Sequence, residues 1–319
     1  MPTTQPKTIF ILLDTDKHAS AFDILTIIDT ITDASILKYE NVTVQDAENI
    51  IHDAMFPRGP EGAKHTKVFI NGHDHKTTRQ ILTRLKETMF PPFQLAIIID
   101  PRGAYTTAAA AVAKTLHLSK LKIREKEEAK VTILAGTGPV GQTAARLYAS
   151  EKLNVTITSR SPEKAFSLAM ELNQEIGAER IRGVAVQTPE QLEQVIRDAE
   201  IVLSAGAAAT QILPLSVLKS CPPNRRVIAD INAIPPLGVE GLEAEDDGKE
   251  IVSNNVGVGA LTIGKLKNKT EIEIINRAAE AAEGIFDYDN AYEIAKQITA
   301  KKQKSKEETS SVFEKSWLP

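Results

Sequence analysis

The chain has 319 residues, 42% of them hydrophobic and 25% charged, with a formal net charge of −4. That length allows two α/β domains with cores of their own, and the mildly acidic balance argues against a chain built chiefly to bind nucleic acid. A single cysteine, Cys221, excludes an internal disulfide framework and a thiolate metal cluster, and no run approaches the roughly 20 apolar residues of a membrane span.

The opening MPTTQPKTIFILLDTD lacks the small-residue cleavage pattern of a signal peptide, so a cytoplasmic protein is expected. Residues 8–13 (TIFILL) read as a buried strand stopped by Asp14 and Asp16. Residues 19–29 place Phe22, Leu25 and Ile28 at helical spacing, with Ser20 as cap. A helix fits 44–55, with Val44, Ala47, Ile50 and Ile51 on one face. Strands fit 67–71 (KVFIN) and 94–100 (QLAIIID), with a helix over 76–89 between them. The alanine-rich stretch 106–117 is helical, and the charged KIREKEEAK after it reads as a hinge.

From Lys130 the pattern restarts. Strands are expected at 131–135, 155–158, 183–186, 201–204 and 227–230, and closing helices at 271–284 and 288–300. Strands alternating with helices imply parallel sheets. The expected fold is therefore α/β with two domains: 1–122 binding substrate, 123–270 as a Rossmann-type unit. Residues 271–300 close back on the first domain, and a polar tail over 301–319 is poorly ordered.

Gly136, Gly138 and Gly141 in AGTGPVG have the G-x-G-x-x-G spacing. The first permits the tight turn, the second lets a pyrophosphate approach the backbone, and the third lets helix pack on strand. The turn follows a strand, opens a helix and leads to a second strand, which is the context that makes the motif meaningful. An NAD site ends that second strand with an acidic residue for the ribose hydroxyls. Here the chain has Ser159 and Arg160, with Lys164 four residues on. A hydroxyl and a guanidinium suit a 2′-phosphate, so NADP is the expected cofactor, with NAD possible. The bland alternative is a solvated surface pair.

Asp14 and Asp16 end one strand and Asp100 another, and ligands of open parallel sheets bind beyond the carboxyl ends of strands. Asp23 lies on the helix that follows the first of these loops. Each is a candidate catalytic carboxylate, with capping or turn formation as the alternative. His73 and His75, in NGHDH, have metal-like spacing without companions, so a solvated turn is expected and no metal site. KKQKSK reads as a solvated helix terminus.

Taken together, ILAGTGPVG, TSRSPEKA, SAGAAATQILP, ADINAIPPLGVEG and VGVGALTIGKLK resemble the NADP-dependent methylene-tetrahydromethanopterin dehydrogenases of one-carbon metabolism. LLDTDKHASAFD, KYENVT and DPRGAYTTAAAAVA match that family's substrate domain in order and spacing. The resemblance implies a cofactor site of Gly136, Thr137, Gly138, Pro139, Val140, Gly141, Ser159, Arg160 and Lys164. It adds Ser204, Ala205 and Gly206 beside the ribose and nicotinamide, and the strand-end residues Asp230 and Asn232. It further implies a reduced pterin one-carbon carrier as substrate (tetrahydromethanopterin or tetrahydrofolate) and a homo-oligomer. The family's loop of the form GxGGLKxK is here GVGALTIGKLK, with extra residues before the closing helix. Lys265 and Lys267 are thus alternative counterparts of the family's cleft lysine.

The implied chemistry suits the residues. When hydride leaves a methylene carbon flanked by two nitrogens, a lone pair stabilises the cation as an amidinium and no proton moves. An obvious acid–base constellation is absent from the sequence. Two alternatives stay open: a dehydrogenase of the shikimate or amino-acid type, which needs a lysine–aspartate pair that Lys7 and Lys17 do not evidently form, and a non-catalytic NADP-binding sensor.

Overall fold

Short apolar strands alternate with helices along the chain. The computed structural model describes residues 6–121, 125, 127–222, 224–252 and 254–315, with side chains through 301. In chain order the elements are β1 (Ile9–Asp14), α1 (Ala21–Thr30), β2 (Ser35–Tyr39), α2 (Val44–Met55), α3 (Gly59–Ala63), β3 (Thr66–Asn71), α4 (His75–Thr88) and β4 (Ala96–Ile99). A 3-10 turn at Pro101–Gly103 leads into α5 (Ala104–Ser119). Then come β5 (Lys130–Leu134), α6 (Pro139–Ser150), β6 (Asn154–Ser159), α7 (Pro162–Ile176), β7 (Ile181–Ala185), α8 (Pro189–Ile196), β8 (Ile201–Ser204), α9 (Leu215–Ser220) and β9 (Val227–Asp230). The chain continues with β10 (Asp247–Glu250), β11 (Val256–Val258), α10 (Ala260–Glu280), β12 (Gly284–Phe286) and α11 (Tyr288–Lys315).

The chain divides into two units, 1–106 with 269–291 and 107–268 with 292–319. The first holds a parallel sheet in the order β12-β4-β3-β1-β2. Ile11, Leu13, Val68, Ile70, Ile97 and Ile99 form a core on one face with Ala47, Ile51 and Met55 of α2 and Ile81 and Leu85 of α4. Strands buried on both faces read as continuous apolar runs, which is why TIFILL and AIII are legible. The chain steps from β1 to β2 on one side, then to β3 on the other. That reversal places a crevice at the carboxyl ends of β1 and β3, where Asp14 pairs with Asn71.

The second sheet runs β10-β11-β9-β8-β5-β6-β7, parallel except for the β10–β11 pair. From β7 to β11 this is the 3-2-1-4-5-6 order of the dinucleotide-binding fold, with its reversal between β5 and β8. Leu134, Val202 and Ile228 pack against Leu192 and Ile196 of α8 and Val217 and Leu218 of α9.

Several expectations need correction. The boundary expected at 122 falls after Thr106, inside α5. All but the first three residues of that helix belong with the second unit, where the Thr115 hydroxyl lies 2.6 Å from Tyr148 Oη and Lys114 pairs with Asp247. The expected hinge over 122–130 lies partly outside the described residues. Phe22, Leu25 and Ile28 do not face the core: they are 54%, 58% and 48% exposed, while Asp23 and Ile27 form the buried side of α1. Helix α10 starts at Ala260 rather than 271, so the extra residues of GVGALTIGKLK are helical turns and not loop. Gly284, at φ 130°, stands beyond the end of that helix and begins β12, which pairs with β4 and carries this segment into the first unit. Helix α11 runs to Lys315 instead of stopping near 300, since 301–315 contain neither Gly nor Pro and are rich in Lys and Glu. The last four tail residues, 316–319, lie outside the described residues. Among the described residues no helix is long and apolar enough to cross a membrane.

Candidate functional site

The glycine turn joins β5 to α6. The Gly136 N–H donates to Thr158 O at 3.0 Å and the Ala135 N–H to Thr158 Oγ1 at 3.1 Å, which ties the turn to β6. Gln142 Nε2 donates to Thr137 O at 2.9 Å and fixes its outer limb. A Cβ on Gly141 would stand 2.5 Å from Gly136 O, so helix and turn approach too closely for a side chain. Around Gly138 nothing lies within 4 Å of an added Cβ. Gly138 is also the N-cap of α6, without a side-chain cap, and Pro139 follows it in the first turn, ahead of Val140. An uncapped helix start with open space before it is the cradle a pyrophosphate needs.

At the end of β6, Ser159 Oγ accepts from the Ser161 N–H at 3.2 Å, and Ser161 in turn caps α7 through the Lys164 N–H at 3.3 Å. Gln187 Nε2 donates to Arg160 O at 2.8 Å and holds that backbone in place. Arg160 and Lys164 are exposed, and among the described residues neither head group forms an ion pair. Two free cations beside a hydroxyl at this position fit a 2′-phosphate.

Ser204 and Asp230 pair across β8 and β9, and both side chains would collide with a Cβ on Gly238. Asp230 accepts from the N–H groups of Asn232 (3.1 Å), Gly238 (2.7 Å) and Val239 (3.3 Å). Burial pushes its carboxyl above the usual range, against the pull of those N–H groups and the Ser204 hydroxyl. Asn232 Oδ1 accepts from Ile234 N at 3.0 Å and its Nδ2 donates to Pro236 O at 3.1 Å. These two residues shape the loop after β9. Ala205 N donates to Leu134 O at 3.0 Å, and a Cβ on Gly206 would lie 3.8 Å from Ala135 Cβ, so the loop after β8 runs beside the glycine turn.

In the first unit the four candidate aspartates have distinct surroundings. Asp14 is fully buried and accepts from Asp16 N at 2.9 Å and Ser20 N at 3.0 Å, shaping the loop after β1. Asp23 accepts from Asn71 Nδ2 at 2.7 Å. Asp100 starts α5: its Oδ1 accepts from the N–H groups of Tyr105 (2.8 Å) and Thr106 (3.2 Å), and its Oδ2 from the Thr106 hydroxyl at 2.5 Å. Asp16 is the hub, bonded to His73 Nδ1 at 2.7 Å and to the His73 N–H at 3.1 Å. Arg102 grips the same carboxylate through Nε at 2.6 Å and through Nη2. Burial raises the Asp14 carboxyl, opposed by its two N–H donors and by Arg102, 3.6 Å away. On Asp16 burial also acts upward, but the His73 N–H and the side chains of Arg102 and His73 outweigh it and hold the group below its usual range.

Asn71, His73 and Arg102 were not foreseen as site residues. Asn71 Oδ1 accepts from the N–H groups of Gly72 (2.8 Å) and Arg102 (2.7 Å), joining the ends of β3 and β4. His73 is not a simple solvated turn residue, because Asp16 fixes its ring, whereas His75 lies edge-on to Tyr105 at 5.9 Å. Lys265 is exposed on the second turn of α10, and Lys267 on the next is half-buried. Cys221 is buried, which pushes its thiol up and suits an inert residue.

Two parallel α/β units, one with the dinucleotide-binding strand order and glycine turn, define an NAD(P)-binding protein of the two-domain dehydrogenase type. Residues 21–102 match the family described as methylene-tetrahydromethanopterin dehydrogenase, N-terminal, and residues 117–241 match shikimate / quinate 5-dehydrogenase. The NAD(P)-dependent methylenetetrahydromethanopterin dehydrogenase of Methylorubrum extorquens is 30% identical over 300 residues, covering 92% of this chain and 99% of that one. Bifunctional protein MdtA of the same organism is 32% identical over 294 residues, with coverage of 92% and 99%. Quinate dehydrogenase from Corynebacterium glutamicum, solved with NAD, shares the fold with a TM-score of 0.51 at 11% identity, covering 86% of this chain and 98% of that one. The chain belongs to the methylene-tetrahydromethanopterin dehydrogenase family.

Proposed function

We propose that this protein is a cytoplasmic, homo-oligomeric enzyme that moves hydride between the methylene group of methylene-tetrahydromethanopterin and NADP, giving the methenyl form. The cofactor half rests on one observation: Arg160, just after β6, forms no ion pair among the described residues, where an NAD site has a carboxylate. The substrate half rests on the kinship with the two Methylorubrum proteins.

NADP would lie with its pyrophosphate at Gly138 and the first turn of α6, and its 2′-phosphate at Ser159, Arg160 and Lys164. The loop Ser204–Gly206 would border the ribose and nicotinamide, on a floor that Asp230 and Asn232 hold rigid. NADP supplies the nicotinamide C4 that takes the hydride. The chain's own residues bind, orient and exclude water. Placing the methylene against that carbon is worth up to ~7–11 kcal/mol in favourable cases. Asp14, Asp23 and Asp100 act by holding the loops at the carboxyl ends of β1, β3 and β4, and Lys265 is the candidate counterpart of the family's lysine.

The shikimate-type alternative needs a lysine paired with an aspartate at this end of the first sheet. Lys67, the buried lysine of the described first-unit residues, sits at the amino end of β3 and bonds the carbonyls of Lys64 and Ala281 instead. Burial pulls it down to about 8. Absorbance at 340 nm tests the proposal, with methylene-tetrahydromethanopterin and methylene-tetrahydrofolate each offered with NADP and NAD. Turnover with NADP and either carrier supports it. NADP binding without turnover of either carrier identifies a sensor instead.

A further inference from the structure

We infer that His73 and Arg102, locked together by Asp16, recognise the lactam edge of the pterin ring, the adjacent N–H and C=O of its pyrimidinone. The inference rests on the proposed function and names what the first unit reads in that substrate.

The loops after β1, β3 and β4 meet at one carboxylate. Asp16 Oδ2 accepts from His73 Nδ1 at 2.7 Å, from Arg102 Nε at 2.6 Å and from Arg102 Nη2, while Oδ1 takes the His73 N–H at 3.1 Å. Its acceptor capacity is spent on its neighbours, so Asp16 is a positioning residue and the groups it holds are the ones left to meet a ligand. In the tautomer that places its proton on Nδ1, toward Asp16 Oδ2, the ring offers Nε2 as a bare acceptor. The His73 side chain is 78% exposed.

Arg102 supplies the complementary donor. Its Nη2 also reaches His18 O at 3.0 Å, while Nη1 has no hydrogen bond or ion pair among the described residues. The residue sits at φ 49°, ψ 38°, a left-handed conformation that costs a non-glycine residue about 1 kcal/mol or more. Its N–H is pinned to Asn71 Oδ1 at 2.7 Å, so the surrounding structure imposes the conformation. Strain held in this way, at the carboxyl end of a parallel sheet, is of the kind that clusters at ligand sites. An acceptor and a donor fixed to one oxygen complement a lactam, which presents a donor beside an acceptor.

The test uses the full chain with NADP bound and two probes, tetrahydrofolate and its 4-amino analogue. The 4-amino group and the bare ring nitrogen invert the donor–acceptor order of the lactam. Calorimetry should show tighter binding of the 4-oxo probe by wild type. In His73→Ala the 4-oxo probe should weaken about tenfold, in line with one buried hydrogen bond, while the 4-amino probe changes little. Arg102→Lys keeps the charge but loses the fork, and it should erase the same discrimination. Asp16→Asn should erase it too, raising KM for the methylene carrier more than it lowers kcat. Wild-type discrimination retained in both His73→Ala and Arg102→Lys overturns the assignment. So does a wild type that turns over the methylene carrier but binds both probes equally. A wild type that turns over no methylene carrier overturns the functional reading itself, and this assignment with it.

Discussion

Gly141 packs against Gly136 so closely that a Cβ at Gly141 would stand 2.5 Å from the Gly136 carbonyl oxygen, whereas the space outside Gly138 is open to 4 Å. The glycines of one motif therefore answer to different constraints, and substitutions should separate them. Gly138 has φ −78° and ψ 171°, which any residue adopts. Gly138→Val should leave unfolding within about 0.5 kcal/mol of wild type while abolishing NADP binding by calorimetry. Gly141→Ala should cost about 1–3 kcal/mol through overpacking against backbone, although alanine is the better helix former. Retained micromolar NADP binding by the valine variant would show that the turn is structural only.

Asp100 tests the distinction between a cap and a catalyst. Its carboxylate accepts from the start of α5, so Asp100→Ala should cost about 1–2 kcal/mol of stability, as lost N-caps do. Per folded molecule, kcat and KM should stay near wild type. A drop of kcat beyond about tenfold in a stably folded variant would place Asp100 at the reacting atoms.

Asp16 yields a pH signature. Its folded pKa lies below the ordinary 3.8, so the stability it contributes is complete above that value and is lost as pH falls through the lower folded value. Asp16→Asn should therefore be less stable than wild type near neutral pH, by about 1 kcal/mol given its partial exposure. The gap in urea midpoint should close below pH 3.8. A gap independent of pH would mean that shape, not charge, holds the three loops together.

Arg160→Asp sets a carboxylate where the 2′-phosphate is expected. The loss of kcat/KM with NADP should reach at least about 1.5 kcal/mol, roughly tenfold, with NAD affected less. An unchanged NADP/NAD ratio would move the phosphate site elsewhere.

Much of this fold is legible in the sequence because its strands are buried on both faces. TIFILL, KVFIN, LAIII and VTIL read as strands without any context, and the glycine turn reads because strand, turn, helix and second strand follow in order. The edge strand β2, Ser35–Tyr39, does not, since Leu37 and Tyr39 remain 48% and 39% exposed and its pattern is weak. Strand β12 has three residues and exists only through pairing with β4, far away in the chain, so local propensity carries no trace of it. In α1 the spacing was right and the face wrong: Asp23 turns inward because Asn71 waits for it, a partner no local pattern reveals. The residues expected to hold the pyrophosphate and 2′-phosphate, Gly136 to Lys164, lie on one continuous stretch from β5 to α7, which a linear motif can carry. Asn71 and His73 follow from β3 and Arg102 from β4, and only the folded chain brings His73 and Arg102 to Asp16 and pins the Arg102 N–H to Asn71. The Asp-Pro-Arg-Gly run was a signal in retrospect, with Arg102 and Gly103 both at positive φ.

The central claim is hydride transfer from the methylene carbon to NADP, and isotopic labelling tests it most directly. Methylene-tetrahydromethanopterin carrying deuterium at the methylene position is turned over once with NADP, and the nucleotide is read by NMR. The account predicts deuterium at nicotinamide C4 on a single face, without washout to solvent, because no proton transfer intervenes. NADPH formed without the label, or no NADPH from a protein that binds NADP, would contradict it.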